Sequence, residues 1–246
     1  MYICIRHITH MRVTLFLIDN LIVAFLGILV AIVLFSYPLW ALIISTISLP
    51  VFAYLGIQLR FWRSPNRKLI AKDNEIVSPA DGNIIYINKI ENEQQCISIK
   101  NGRISKLEEI TKTNLINIPC WQIGINMTPF DVHKNCSPIE GKIILSKHFS
   151  GSFHSLKECI AMVENERHTY VIANDNYKVG VVQIASRRVR RIDSYVKERQ
   201  YVKKGEWIGM IRFGSQVDVF IPIEAKINVR LKQQVYAKKT IIAAIE

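Results

Sequence analysis

Two stretches near the amino end are almost free of polar residues. They read "LFLIDNLIVAFLGILVAIVLF" at 15–35 and, after Ser36, Tyr37 and Pro38, "LWALIISTISLPVFAYLGI" at 39–57. Each approaches the roughly 20 apolar residues that cross a bilayer as a helix. The pattern therefore predicts a membrane-anchoring helical hairpin over 1–60, interrupted by Asp19, Asn20 and Pro50. Shallow insertion into the interface would leave the same trace. From residue 61 onward the apolar positions recur in short β-type runs: "GNIIYINKI", "QQCISIKNGRI", "WQIGIN", "GKIILSKHF", "TYVIANDNYKVGVVQIA", "IRFG" and "VDVFIP". "NDNYK" at 174–178 predicts a hairpin turn, and "SLKECIAMVENE" at 155–166 predicts a helix.

The expected class is mainly β (α+β): a β-barrel or sandwich over 61–246 behind an N-terminal hydrophobic hairpin. Two stretches, "VSPADGNII" and "YVKKGEWIGMI", look like the paired half-motifs of a lipoyl-like barrel.

Charge sharpens the membrane reading. Arg6 and Arg12 precede the first apolar run, and Arg60, Arg63, Arg67 and Lys68 follow the second. The positive-inside rule then puts both flanks, and the β domain, on the cytoplasmic face of the cell membrane. The net charge of +12 suits an anionic lipid surface, and beside two apolar runs it points to membrane lipids rather than nucleic acid as partner. The densest basic cluster is "RRVRR" at 187–191, where strand alternation would put Arg188 and Arg190 on one face and Arg187, Val189 and Arg191 on the other. The five cysteines, Cys4, Cys96, Cys120, Cys136 and Cys159, are odd in number, scattered, and lack zinc-site spacing, so reduced cytosolic thiols and no metal are expected.

Candidate chemistry lies where polar residues meet turn residues. "IRFGSQVDVFIP" at 211–222 interrupts a strand-like run with Gly214 and Ser215, and a bulge would do that without any function. Asp81 sits in "SPADG" between Pro79 and Gly82, where a turn-forming role would also account for it. His133 sits in "TPFDVHKNCSP", and Asp131 would share its face in an extended segment, which makes Asp131 a rival partner for the imidazole. Ser215, His133 and Asp81 together make a possible nucleophile, base and orienter.

These blocks resemble the phosphatidylserine decarboxylases, specifically their short, membrane-bound branch. The resemblance runs through "FWRSPNR", "VSPADG", "MTPFDVHKNCSPIEGK", "NERH", "VQIASRRVRRI" and "KKGEWIGMIRFGSQVDVFIP", covering nearly all of 61–222. Three positions depart from the family's pattern: Gln216 where many members carry threonine, Phe130 where the longer branch has a second histidine, and Ser186 where glycine is usual.

The resemblance implies a self-processing zymogen that cuts itself between Gly214 and Ser215 and converts Ser215 into a pyruvoyl group. It implies no pyridoxal phosphate. His133 would be the base, with Asp81 holding its tautomer. The chains 1–214 and 215–246 would remain together as a heterodimer. The pyruvoyl ketone would take up the amine of phosphatidylserine and act as electron sink while carbon dioxide leaves, giving phosphatidylethanolamine. Arg187, Arg188, Arg190 and Arg191 are candidates for the head-group phosphate, and Asn165 and Arg167 are further candidates from the "NER" block. A non-catalytic, membrane-tethered lipoyl-like binding module is the alternative; it lacks an "MKM"-type lysine signature and predicts an unbroken chain. A zinc peptidase finds no suitably spaced histidine pair.

Overall fold

The computed structural model describes residues 20–30, 32, 38–91, 97–99, 103–105, 107–156, 161–186, 191–212 and 215–245. The chain divides into two compact units, Met1–Trp62 and Arg63–Glu246.

In the first unit, α1 (Asn20–Val30) and α2 (Pro38–Trp62) are helical. Within α2, Leu42–Leu59 is long and apolar enough to cross a membrane and is nowhere buried by protein. Two of its hydroxyls turn back on the helix backbone: Ser45 Oγ and Thr46 Oγ1 both donate to the Leu42 carbonyl, at 3.0 and 2.7 Å. α2 continues five residues past the expected end at 57, through the amphipathic "QLRFW". Ser36, Tyr37 and most of the remainder of the first apolar run lie outside the described residues.

The second unit is mainly β. Its elements are β1 (Glu75–Val77), β2 (Gly82–Ile90), β3 (Ile97–Ile99), β4 (Arg103–Ser105), α3 (Leu107–Thr111), β5 (Cys120–Met127), β6 (Lys134–Cys136), β7 (Gly141–Phe149) and α4 (Ala161–Glu164). There follow β8 (Arg167–Ala173), β9 (Lys178–Ile184), β10 (Ile192–Ser194), β11 (Tyr201–Val202), β12 (Trp207–Ile211), β13 (Ser215–Pro222), β14 (Ala225–Ile227), β15 (Gln234–Val235) and β16 (Ile241–Ile245). An eight-stranded antiparallel sheet runs β11-β7-β8-β9-β13-β5-β2-β15. Register shifts between Ile84 and Tyr86 in β2 and between Ile143 and Leu145 in β7 mark irregularities that help it curl. Smaller sheets, β1-β16-β14 and β10-β12-β6, accompany it, with the β3-β4 ribbon apart.

Period-two alternation gives the large sheet two apolar faces. Ile123, Ile125, Val179, Val181, Val217, Val219 and Ile221 join one core cluster, while Val171, Val182, Ile184 and Phe220 join another together with α3 residues Leu107 and Ile110. At roughly 25 cal/mol per Å² of apolar surface removed from water, this double burial is the main source of the domain's stability.

Most of the expected runs hold strands; of the described part of "IRFG" only Ile211 is strand, at the end of β12, and the described parts of "QQCISIKNGRI" lie in β3 and β4. The turn at 174–177 joins β8 to β9: Asn174 Oδ1 accepts from the amides of Asn176 and Tyr177, a side-chain-made turn. Of the expected helix at 155–166, Ala161–Glu164 is helical, and 157–160 lie outside the described residues. Both half-motif stretches contribute to the large sheet, through β2 and β11, and the second continues into β12 of the β10-β12-β6 sheet.

Candidate active site

The structure brings together three segments far apart in sequence. The first holds Asp81. Its carboxylate is fully buried and accepts from Arg67 through a two-pronged pair, Nη1 to Oδ1 and Nη2 to Oδ2, the latter at 2.7 Å. It also accepts from the amides of Ala237 (2.9 Å) and Val132 (3.4 Å).

The second is the turn 128–131 leading into β6. Asp131 Oδ2 accepts from the Thr128 amide (2.8 Å) and hydroxyl (2.6 Å), while the Asp131 amide donates back to the Thr128 carbonyl at 2.9 Å. Asp131 Oδ1 accepts from Gln234 at 3.2 Å. The segment before His133 is thus a closed turn rather than extended chain. Asp131 does meet the imidazole, but through its main-chain carbonyl: His133 Nδ1 lies 2.9 Å from Asp131 O. A carbonyl can only accept, so Nδ1 carries the proton and Nε2 carries the lone pair. Burial lowers the His133 pKa from 6.5 to about 4; the Asp131 carbonyl and the charges of Asp131 and Asp81 pull the other way and lose. The imidazole is neutral at physiological pH, with a defined tautomer.

The third is the crossover from β12 to β13. The Ile211 amide donates to the His133 carbonyl at 3.1 Å, and Ser215 opens β13 opposite Met127. The chain is fastened beside His133 just before residues 213–214 and to β5 just after them. Gly214 and the Ser215 side chain lie outside what the structure describes.

Asp81 meets the His133 segment at the Val132 amide, one residue from the imidazole, while the ring Nδ1 donates to the Asp131 carbonyl. Sequence reasoning did not select Arg67 as a site residue, although it lies in the "FWRSPNR" block; an arginine four residues after Arg63 carries no local signal of a partner at Asp81. It also missed the buried amides Asn135 and Gln183. Gln183 Nε2 donates to Asn135 Oδ1 at 2.7 Å, and among the described residues Asn135 Nδ2 reaches the Met127 sulfur alone, at 3.9 Å. Among the described residues Gln183 Oε1 has no partner although it is buried.

The remaining candidates fall elsewhere. Asn165 is buried and braces backbone: it accepts from the His154 amide (2.7 Å) and donates to the carbonyls of His154 (2.9 Å) and Ala185 (2.8 Å). Arg167 is buried as well and donates to the carbonyls of Asn165 and Ile110. Burial lowers its pKa to about 10, against the opposing pull of Asp218. Arg191 is exposed and pairs with Asp193 at 2.8 Å, as does Arg212. Arg187, Arg188 and Arg190 lie outside the described residues. No group of three or more His, Cys, Asp or Glu side chains suited to a metal ion occurs among the described residues.

A buried imidazole whose Nδ1 faces a carbonyl, set beside the β12–β13 crossover, has the chemistry to move a proton. Residues 56–243 match the phosphatidylserine decarboxylase family model. A phosphatidylserine decarboxylase proenzyme of Cytophaga hutchinsonii is 33% identical over 221 residues, 89% of this chain and 91% of its own length. One of Burkholderia ambifaria is 31% identical over 86% of this chain and 84% of its own. A provisionally assigned archaetidylserine decarboxylase proenzyme of Methanocaldococcus jannaschii is 38% identical over 80% of this chain and 93% of its own. Among solved structures, the glucose permease IIA of Mycoplasma capricolum aligns with 72% of this chain at 13% identity and a TM-score of 0.36, too remote to bear on the fold. The chain belongs to the phosphatidylserine decarboxylase family and is a carboxy-lyase, which sets aside the non-catalytic binding module.

Proposed function

We propose that this protein decarboxylates phosphatidylserine to phosphatidylethanolamine at the membrane, after cutting itself between Gly214 and Ser215. The observation that carries the reading is the neutral, tautomer-fixed His133, whose carbonyl holds the strand that runs into the Gly214–Ser215 peptide.

His133 Nε2 removes the Ser215 hydroxyl proton, and the hydroxyl oxygen attacks the Gly214 carbonyl carbon. The carbon–nitrogen bond breaks, the Ser215 nitrogen takes a proton, and an ester replaces the amide. Removal of the Ser215 Cα proton expels the Gly214 carboxylate. The resulting dehydroalanine tautomerises to an imine, and water hydrolyses it to ammonia and a pyruvoyl group. Asp81 keeps the Val132 amide, and with it the base, in place. Gly214 suits this step because it has no Cβ to hinder the approach.

The residues present fit the pyruvoyl group. Asn135 bridges from Gln183, the register partner of Val217, to Met127, the register partner of Ser215, so two buried and under-used amides flank the start of β13. Asn135 and Gln183 would hold the group by its carbonyl oxygens or by water. Once formed, the group supplies an electron-accepting carbonyl to the substrate amine. His133 Nε2 takes up a proton as the substrate ammonium is converted to the free amine, and returns it to the substrate's α-carbon after carbon dioxide has left. Arg191, with Arg187, Arg188 and Arg190, meets the head-group phosphate, and Asn165 and Arg167 brace the strands behind it.

The fragment 215–246 supplies β13 between β5 and β9, β15 beside β2, β16 beside β1, and β14 on the far side of β16. Such interleaving holds the two chains as a heterodimer without a covalent link. The lipoyl-like closure belongs to the same reading: the Cys136 amide donates to the Pro79 carbonyl and the Ser137 amide to the Glu206 carbonyl, so both half-motifs grip β6 from either side. α2 and the first apolar run anchor the domain as a hairpin on the cytoplasmic face, where the lipid head group lies.

The test is Ser215→Ala in the full chain. On a denaturing gel the parent is expected to give fragments 1–214 and 215–246 and to release carbon dioxide from phosphatidylserine vesicles. The variant is expected to stay whole and inactive, and a variant that matures normally would overturn the reading.

A further inference from the structure

Asp81 is saturated. A carboxylate offers about four acceptor sites, and here they take both prongs of Arg67 and the amides of Ala237 and Val132. Arg67 is itself pinned, donating to the Ala237 carbonyl at 3.0 Å and lying over the Tyr236 ring at 5.8 Å. Asp81 is also close enough to His133 to favour its charged form. An unpaired buried carboxylate beside an imidazole would draw a proton onto the ring, because imidazole has the higher proton affinity of the two, with ordinary pKa values of about 6.5 against about 3.9. A protonated His133 cannot act as base.

We propose that Arg67 is a positioning residue of the self-processing site: its guanidinium neutralises Asp81, so that Asp81 can hold the Val132 amide without making an imidazolium of His133. This rests on the reading that His133 is the base for Ser215.

The neighbouring groups leave this task to Arg67. The Asp131 carboxylate is tied to Thr128 and Gln234 and contributes a favourable charge to imidazolium, as Asp81 does. Near Asp81 lies the Cys136 thiol, pushed up to about 12 chiefly by burial and therefore neutral. Lys238, whose charge is felt at Cys136 and at Arg67, has its ammonium over the Trp207 ring at 3.9 Å. Tyr236 meets Arg67 through its ring face. A lysine at 67 would keep the charge and lose the fork.

The experiment follows conversion of freshly synthesised full-length chain, in detergent, into fragments 1–214 and 215–246 between pH 4 and pH 8. The parent rate is expected to hold level down to about pH 5 and fall as pH approaches about 4. For Arg67→Met the acid fall is expected to move up by at least about one pH unit. At pH 6 the variant then loses a several-fold larger share of its plateau rate than the parent does. Arg67→Gln, which retains a donor without the charge, is expected to show the same shift and serves where Arg67→Met does not fold. Arg67→Lys is expected to slow the plateau with the fall left near the parental pH. Arg67→Met combined with Asp81→Asn is expected to bring the fall back down. Lower rates in Arg67→Met and Arg67→Gln with the fall at the parental pH, as loss of packing alone would give, overturn the inference. A parent chain that never cleaves, or a Ser215→Ala chain that does, removes the underlying reading and this inference with it.

Discussion

Asp218 offers a sharp test of how the cleavage strand is held. It is fully buried on the face of β13 opposite Val217 and Val219. Its Oδ2 accepts from the Tyr86 hydroxyl at 2.6 Å and Gln122 Nε2 at 2.7 Å, and its Oδ1 accepts from Gln216 Nε2 at 2.7 Å. Gln216, next to Ser215, also donates to the Tyr86 oxygen at 2.6 Å. Asp218→Ala strips three buried donors of their acceptor. A buried donor left unpaired costs about 1–3 kcal/mol, and the opposing charge near Arg167 is lost as well. Some donors will find water in the new space, so the expected total is about 3–5 kcal/mol, the range for breaking a buried charged cluster. Asp218→Asn keeps the shape and one acceptor oxygen and is expected to cost less than half as much.

The pH dependence carries a sign of its own. Burial raises the Asp218 pKa above its unfolded value, against the lowering pull of Gln216, Tyr86 and Gln122. The folded state therefore holds that proton more tightly, and the parent loses stability relative to Asp218→Asn as pH rises from about 4 through the raised value. The assay is denaturant unfolding of the full chain in detergent, followed by fluorescence of the partly buried Trp121 and Trp207. A cost below about 1 kcal/mol for Asp218→Ala would refute the argument that this network is tightly satisfied.

Two further outcomes follow from the same geometry. His168 is buried against Tyr170, bonded to the Ser146 hydroxyl at 3.0 Å, and lowered to about 4 by burial and then by His148. Its folded pKa lies below the unfolded 6.5, so the unfolded chain binds the extra proton. Relative to His168→Gln, the parent should lose about 3 kcal/mol of stability as pH falls from 6.5 to 4, with no further change below, and unfolding midpoints of the two chains across that window check it. Gly82 has φ 152°, and a Cβ there would sit 2.4 Å from the Asn126 carbonyl oxygen. Gly82→Ala is expected to push β2 from β5, cost about 2–4 kcal/mol, and slow maturation by displacing Asp81, as a pulse-chase gel would show.

The strands were legible because alternation here reports burial directly. β2 and β7 occupy the runs "GNIIYINKI" and "GKIILSKHF", and the turn between β8 and β9 sits on Asn174. α3 was not legible, because five residues, "LEEIT", span too little chain to show a helical period. The order of the eight strands depends on contacts between distant segments, which local pattern does not encode. At the site, His133, Asp81 and Ser215 stood out through turn residues and the family blocks. The partners of Asp81 did not, because Arg67 reaches it across fourteen positions and Ala237 across 156. Asp131, the rival partner for the imidazole, meets it through its carbonyl rather than its carboxylate, because Thr128 closes the segment into a turn on that carboxylate. The Asp218 network had a faint signal: Gln216 and Asp218 put polar groups on one face of an otherwise apolar strand, and Gln122 does the same in β5.

The central claim is that this chain makes its own electrophile by breaking one peptide bond. The most direct measurement is the intact mass of the purified, lipid-active protein under denaturing conditions. The account predicts two species, one ending at Gly214 and one spanning 215–246 whose first residue has lost its amine and gains mass on treatment with a hydrazine. A single species with the mass of the uncut chain, active on phosphatidylserine and inert to hydrazine, would contradict it.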